Sequence, residues 1–199
     1  SGNVRQATKV TMEAGATIDA SATDNGDGGK VVLWSDIHNA DSVTRVNGSI
    51  KAEAGPNGGD GGQIETSGHV LNVDGIQVST QSQNSTTGEW LLDPWDITIA
   101  SSGATGTTWA AGTAGTTTKT YTSAAASTIL DTSITGALAT SNVVVKTGGT
   151  AGDGNGNGDI NVTADLSWST AKMLTFTALG GISGTGNISM TGGVGAGLT

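Results

Sequence analysis

The sequence predicts an all-β chain, and within that class a parallel β-helix (a β-solenoid), on three observations. Blocks recur: "GATIDASATDNGDGGKVVL" (residues 15–33) aligns with "GSIKAEAGPNGGDGGQIET" (residues 48–66), which sets Asp27/Asp60, Gly28/Gly61, Gly29/Gly62 and Val31/Ile64 each 33 positions apart. Between the turns, short runs alternate apolar and polar side chains, the period of a half-buried strand. The turns themselves are clusters of Gly, Asp and Asn, residues that tolerate tight corners and positive φ. Repetition every few tens of residues favours stacked coils. An antiparallel sandwich uses the same short strands and Asp-Gly turns and stays open as the alternative.

Taken in order, the runs "TIDAS", "KVVLW", "SIKAE", "QIETS" and "LNVDGIQVST" read as strands, separated by "DNGDGG" and "GPNGGDGG". Stacking would turn Val31, Ile50, Ile64, Val73 and Val78 inward as the ladders of a thin aliphatic core, each burial contributing about 1.5 to 3 kcal/mol. "GEWLLDPWDITI" (residues 88–99) breaks the composition, holding two of the five tryptophans and one of the two prolines. It reads as the close of a regular section, residues 1–99, followed by a less regular continuation of the solenoid, residues 100–199. In that second section "TTTKTYTS", "NVVVKTGG", "GDINVTADLSW", "MLTFTALGGIS" and "GNISMTGG" are strand candidates. Over residues 126–142 the spacing of Ile129, Leu130, Ile134 and Leu138 predicts a short helix or an outer loop. With eight to ten coils rising about 4.8 Å each, the rod would be roughly 40 to 50 Å long.

Composition narrows the function classes. Gly supplies 33 of 199 residues without a Gly-X-Y period, which excludes collagen. Only 13% of residues are charged, too few for a charge-rich disordered tail. A net charge of −9 argues against nucleic acid, whose phosphates need clustered Lys and Arg. No basic amphipathic segment points to anionic lipid, and no run of about 18 apolar residues predicts membrane insertion. Cys is absent, as suits a long repetitive fold that needs no disulfides and a chain exported unfolded through a pore. Opening on Ser1 without a basic and apolar leader, the chain reads as an interior segment of an exported protein.

The phrases "GGKVVLWSD", "GGDGGQIETSG", "GEWLLDPWDITI" and "NVVVKTGG…GDINVTADLSWST…LTFTA" resemble, in wording and order across residues 15–199, the filamentous haemagglutinin-like adhesins of Gram-negative two-partner secretion. Trp90–Pro94 carries the most specific part of the likeness. The resemblance implies a right-handed parallel β-helix, secreted through an outer-membrane pore and forming part of a surface stalk. It further implies glycans or proteins of a host or matrix as partners. The amino-terminal secretion domain of those exoproteins has no counterpart here, so contact with the secretion pore belongs to a region outside this segment.

Candidate chemistry is sparse, and no catalytic, cofactor-binding or metal-binding residue is assigned. Trp90 and Trp95 could form a carbohydrate-stacking platform with Asp93 and Asp96. A contiguous Trp-Leu-Leu run instead favours packing on a neighbouring element, with Pro94 interrupting the strand ladder and Asp93 or Asp96 capping a turn. Asp27, Asp60, Asp153 and Asp159 lie in Gly-rich turns but not at the nine-residue interval of calcium-binding rolls. Asp36 and Asp41 around His38 are the nearest thing to a catalytic cluster, in a segment that reads as a loop between coils; His69 has no acidic neighbour in sequence. Of four Asn-x-Ser/Thr sequons, at Asn47, Asn84, Asn161 and Asn187, those at Asn84 and Asn47 read as the most exposed. The expectation is a structural and adhesive solenoid segment, secreted or at the cell surface. A polysaccharide-modifying β-helix enzyme and a passive spacer are the alternatives.

Overall fold

The computed structural model describes residues 6–103, 127–148, 158–192 and 195–199. Three short strands make each coil. The first coil is β1 (Lys9–Met12), β2 (Thr17–Asp19) and β3 (Lys30–Trp34); the second is β4 (Val43–Val46), β5 (Ser49–Lys51) and β6 (Gln63–Gly68). The third is β7 (Val70–Asn72), β8 (Gln77–Ser79) and β9 (Glu89–Pro94). Strand β10 (Ile97–Ala100) follows, then a fourth coil of β11 (Ser127–Leu130), the helix α1 (Asp131–Ala137) and β12 (Asn142–Lys146). A fifth coil comprises β13 (Ile160–Val162), β14 (Leu166–Trp168) and β15 (Met173–Thr177), and a sixth β16 (Ile182–Gly184), β17 (Ile188–Met190) and β18 (Gly197–Leu198).

Every pairing between the described strands is parallel, and on the third face each strand pairs with its copy in the next coil, as a solenoid requires and an antiparallel sandwich forbids. The repeat seen in the sequence is the register: Val31 pairs with Ile64 and Ile18 with Ile50. One face is the six-stranded sheet β3-β6-β9-β12-β15-β18. The other two are interrupted. The helix α1 stands where the fourth coil would put a strand between β8 and β14. Those strands are two coil spacings apart, roughly 9.6 Å, close to the ~10 Å diameter of a helix. Ile134 and Leu138 complete the core there, while Ile129 belongs to β11 rather than to the helix.

On the first face β10 lies between β11 and β13, so the chain passes one level ahead before returning. β11 then settles against β7, where Leu71 N–H donates to Ser127 Oγ at 2.9 Å. The described residues make fewer coils than the eight to ten expected of the whole chain. Six coils are described, about 24 Å from first to last at the usual spacing, because each turn of this three-sided coil consumes more chain than a minimal one. The strand expected at "TTTKTYTS" lies outside the described residues.

The core is one continuous aliphatic column. Val31, Ile50, Ile64, Val73 and Val78 are all buried in it, as the stacking predicts. The corner between the second and third faces needs glycine for proximity rather than for φ: a Cβ on Gly61 would lie 1.9 Å from Thr80 O, and one on Gly88 1.9 Å from Gly62 O. At the other bend Gly15 and Gly75 have φ of 85° and 76°, closing turns in which Ala16 N–H donates to Glu13 O and Ile76 N–H to Val73 O.

Candidate functional site

The Trp90–Pro94 stretch is a regular rung. It forms β9, with Trp90, Leu92 and Pro94 buried and Leu91 half-buried on the outer side, so strict alternation survives the apolar run. Leu91 finds apolar company outside, beside Val144 in the next coil. Trp90 is 0% exposed and its indole N–H donates to Thr66 Oγ1 at 3.1 Å. Pro94 does not interrupt the ladder; it ends β9 opposite Gly68, and its carbonyl accepts from Gly148 N–H. Trp95 is also buried. Neither ring of the envisaged stacking platform offers a face to solvent.

Trp95 instead organises a corner of the solenoid. His69 stacks on it with ring centroids 5.1 Å apart, and His38 meets it edge-on at 5.9 Å. His69 Nδ1 lies 2.9 Å from Ile37 O, which ties the loop of residues 35–42 down over the rings. Within that loop Asp36 Oδ1 accepts from His38 N–H and Asn39 Oδ1 from Asp41 N–H, so the acidic and amide side chains shape the turn. Beside the corner, Lys146 Nζ reaches Asp93 Oδ2 at 3.3 Å. Burial raises the Asp93 pKa, Lys146 opposes that rise, and Glu65 adds to it. Asp93 Oδ1 and the Trp95 indole nitrogen are buried without hydrogen-bond partners among the described residues.

The turn aspartates do a different job. Asp27 Oδ1 accepts from Asp60 N–H one coil on, and Asp60 in turn accepts from Ser85 Oγ and Thr86 N–H. The pattern recurs from Asp96 to Asp159 N–H, from Asp159 to Gly181 N–H, and from Asp165 to Asn187 N–H. These carboxylates are inter-coil staples whose oxygens accept from backbone N–H groups of the next coil, joined at Asp60 by the Ser85 hydroxyl and at Asp165 by the Asn187 amide. Asp153 lies outside the described residues. The Ser85 hydroxyl and then the Thr86 N–H hold the Asp60 pKa below its ordinary value. Asp60 and Glu89 line one shallow cleft of about 340 Å³, with Asp60 already engaged in this way.

The outside of the six-stranded sheet carries exposed apolar side chains. Trp34 is 46% exposed there, next to exposed Val32. Register places Trp34, Ser67, Asp93, Lys146 and Thr177 in one row across the coils, with Val32, Glu65, Leu91, Val144 and Thr175 in the next. Ser67 Oγ donates to Glu65 Oε1 at 2.9 Å. Sequence reasoning passed over Trp34, although parity would have found it: three positions after inward Val31, it must point out.

Among the sequons, Asn84 and Asn187 are exposed. Asn47 departs from expectation. Its amide nitrogen donates to Asn72 Oδ1 and Asp74 O, and its oxygen accepts from Arg45 Nε at 2.6 Å, so it bridges two coils. Among the described residues no helix is long and apolar enough to cross a membrane. No protein-family model matches the chain, and no curated protein is significantly similar to it.

Proposed function

We propose that the chain is a structural and adhesive segment of a secreted bacterial surface adhesin, of the filamentous haemagglutinin kind that its sequence resembles. The observation that supports this reading is the unbroken six-strand parallel sheet, whose outer face combines an exposed Trp34 and Val32 with the charged side chains of Glu65, Asp93 and Lys146. Stacked parallel coils resist bending because every rung is hydrogen-bonded to the next. A flat, exposed indole near the Glu65 carboxylate suits the apolar face and the hydroxyls of a neutral sugar. The acidic charge of the chain disfavours sulfated or phosphorylated glycans.

A glycan and matrix-protein binding array probed with the whole chain tests the proposal. Binding to neutral glycans that Trp34→Ala reduces at least tenfold, with the melting temperature kept within a few degrees, supports it. Binding that is absent throughout the array favours a passive spacer. The enzyme reading draws on the cleft holding Asp60 and Glu89. Release of reducing ends from a polysaccharide, abolished in Glu89→Gln, would replace adhesion by catalysis.

A further inference from the structure

We propose that α1 carries a binding site for a neutral oligosaccharide, which crosses the helix at Gly136 and settles into the clefts on its two sides. The site lies on the second face of the solenoid, away from Trp34 on the third, and it stands whether or not that indole binds a sugar. Where the helix replaces a strand, the even outer surface of the coils is broken. A cleft of about 370 Å³ opens between β8 and α1, and another of about 440 Å³ between α1 and β14; Gly136 lines both. Each volume falls within the roughly 300 to 1,000 Å³ of small-molecule sites. Gly136 is exposed, its φ is not positive, and nothing lies within 4 Å of where its Cβ would be, so neither a turn nor close packing calls for glycine there. A glycine inside a helix weakens it, and such departures from local preference gather at functional sites. The missing side chain leaves a low saddle that joins the two clefts.

The lining chemistry selects the ligand. No charged side chain lines the cleft between α1 and β14, and the hydroxyls of Thr132, Ser167 and Ser169 there have no hydrogen-bond partner among the described residues. In the cleft between β8 and α1, Lys51 and Glu53 cancel in charge, and Ser79 Oγ donates to Glu53 Oε1. The side-chain amides of Gln77 and Gln81 stand beside them without partners among the described residues. Hydroxyls and amides both donate and accept, so a site of no net charge rich in them matches the hydroxyls of an uncharged sugar chain. An extended peptide would instead add to a free strand edge, and the edge of β8 is already taken. Thr140 Oγ1 donates to Val78 O at 2.6 Å, and Thr80 N–H donates to Ser141 Oγ at 3.1 Å.

The test uses the whole chain carrying Trp34→Ala, which removes the indole of the other face. It is probed with short neutral oligosaccharides of glucose, mannose, galactose and N-acetylglucosamine, with sulfated oligosaccharides and extended peptides beside them. Binding of at least one neutral oligosaccharide is expected. Adding Gly136→Leu fills the saddle with a good helix former, so affinity is expected to fall at least tenfold while the melting temperature holds or rises. Adding Ser167→Ala instead is expected to weaken binding severalfold. Circular dichroism confirms that each variant keeps its fold, with Gly136→Gln as the replacement if the leucine does not. A loss of binding in Trp34→Ala alone places all sugar recognition on the six-stranded face and overturns the site. Affinity unchanged by Gly136→Leu overturns it as well, as does a chain that takes only sulfated oligosaccharides or only peptides.

Discussion

At the scale of single residues, burial and hydrogen bonding assign work that composition leaves ambiguous. Trp90 carries the clearest stability consequence. Its indole fills the column between Ile64 and Val143 and satisfies its N–H on Thr66, so Trp90→Ala leaves both a cavity and an unpaired hydroxyl. Thermal or urea denaturation should register a loss of about 3 to 5 kcal/mol. Asp60 contributes to the acid side of stability. Its pKa is depressed in the folded chain, first by the Ser85 hydroxyl and then by Thr86 N–H, so its contribution is present above the ordinary carboxylate pKa of about 3.9 and is lost as pH falls through the lower folded value. Asp19, held down by Ser21, acts with the same sign. Asp93 acts oppositely: burial raises its pKa, so what it contributes is present below the ordinary value and is lost as pH rises through the folded one. Melting temperature measured between about pH 5 and pH 2 should fall on acidification, and Asp60→Asn should flatten that fall.

At the scale of elements, two glycines should respond to alanine with opposite signs. Gly136 sits on the exposed side of α1 with nothing within 4 Å of the position a Cβ would take. Gly136→Ala should stabilise by about 0.5 to 1 kcal/mol, since alanine narrows the unfolded ensemble and favours the helix. Gly88 is pressed against the backbone of the coil below, and Gly88→Ala should lower the melting temperature sharply or prevent folding. Urea titration of the pair checks both. These elements also show what sequence can carry. Alternation is a local property, so the inward sets of β3, β6 and β8 were legible, and the 33-residue repeat carried the register of β3 on β6. The Trp-Leu-Leu run misled because the rule that outer positions are polar fails where Leu91 can pack beside Val144. The insertion of β10 between β11 and β13 was not legible at all, since "ITIA" alternates identically whichever neighbours it has. Asn47 and the aspartate staples were missed for a related reason: their partners lie one coil away, at separations such as 25 or 33 residues, and no local pattern marks them.

At the scale of the whole molecule, stability is a column of nearest-neighbour interfaces, and such a column should not open uniformly. Each inner coil is held on two sides, whereas the first and the last are held on one. The sixth coil is the weaker end. Its strands are only two or three residues long, and Ile182 and Leu198 remain open to solvent although their partners in the fifth coil are buried. By contrast, the second and third coils combine the longest strands of the six-stranded sheet with Ile50, Ile64, Leu71, Trp90 and Leu92 in the core. Local opening scales with how little apolar surface a unit buries and how many of its hydrogen bonds face water. Native-state hydrogen exchange should therefore give the slowest amides in β6 and β9 and the fastest strand amides in β16, β17 and β18. Trp90→Ala should lower the protection of β6, β9 and β12 together, because its indole bridges the three, while leaving the already fast amides of β17 unchanged. Uniform protection from the first coil to the sixth would mean that the column opens as a single cooperative unit, and the nearest-neighbour account would fail.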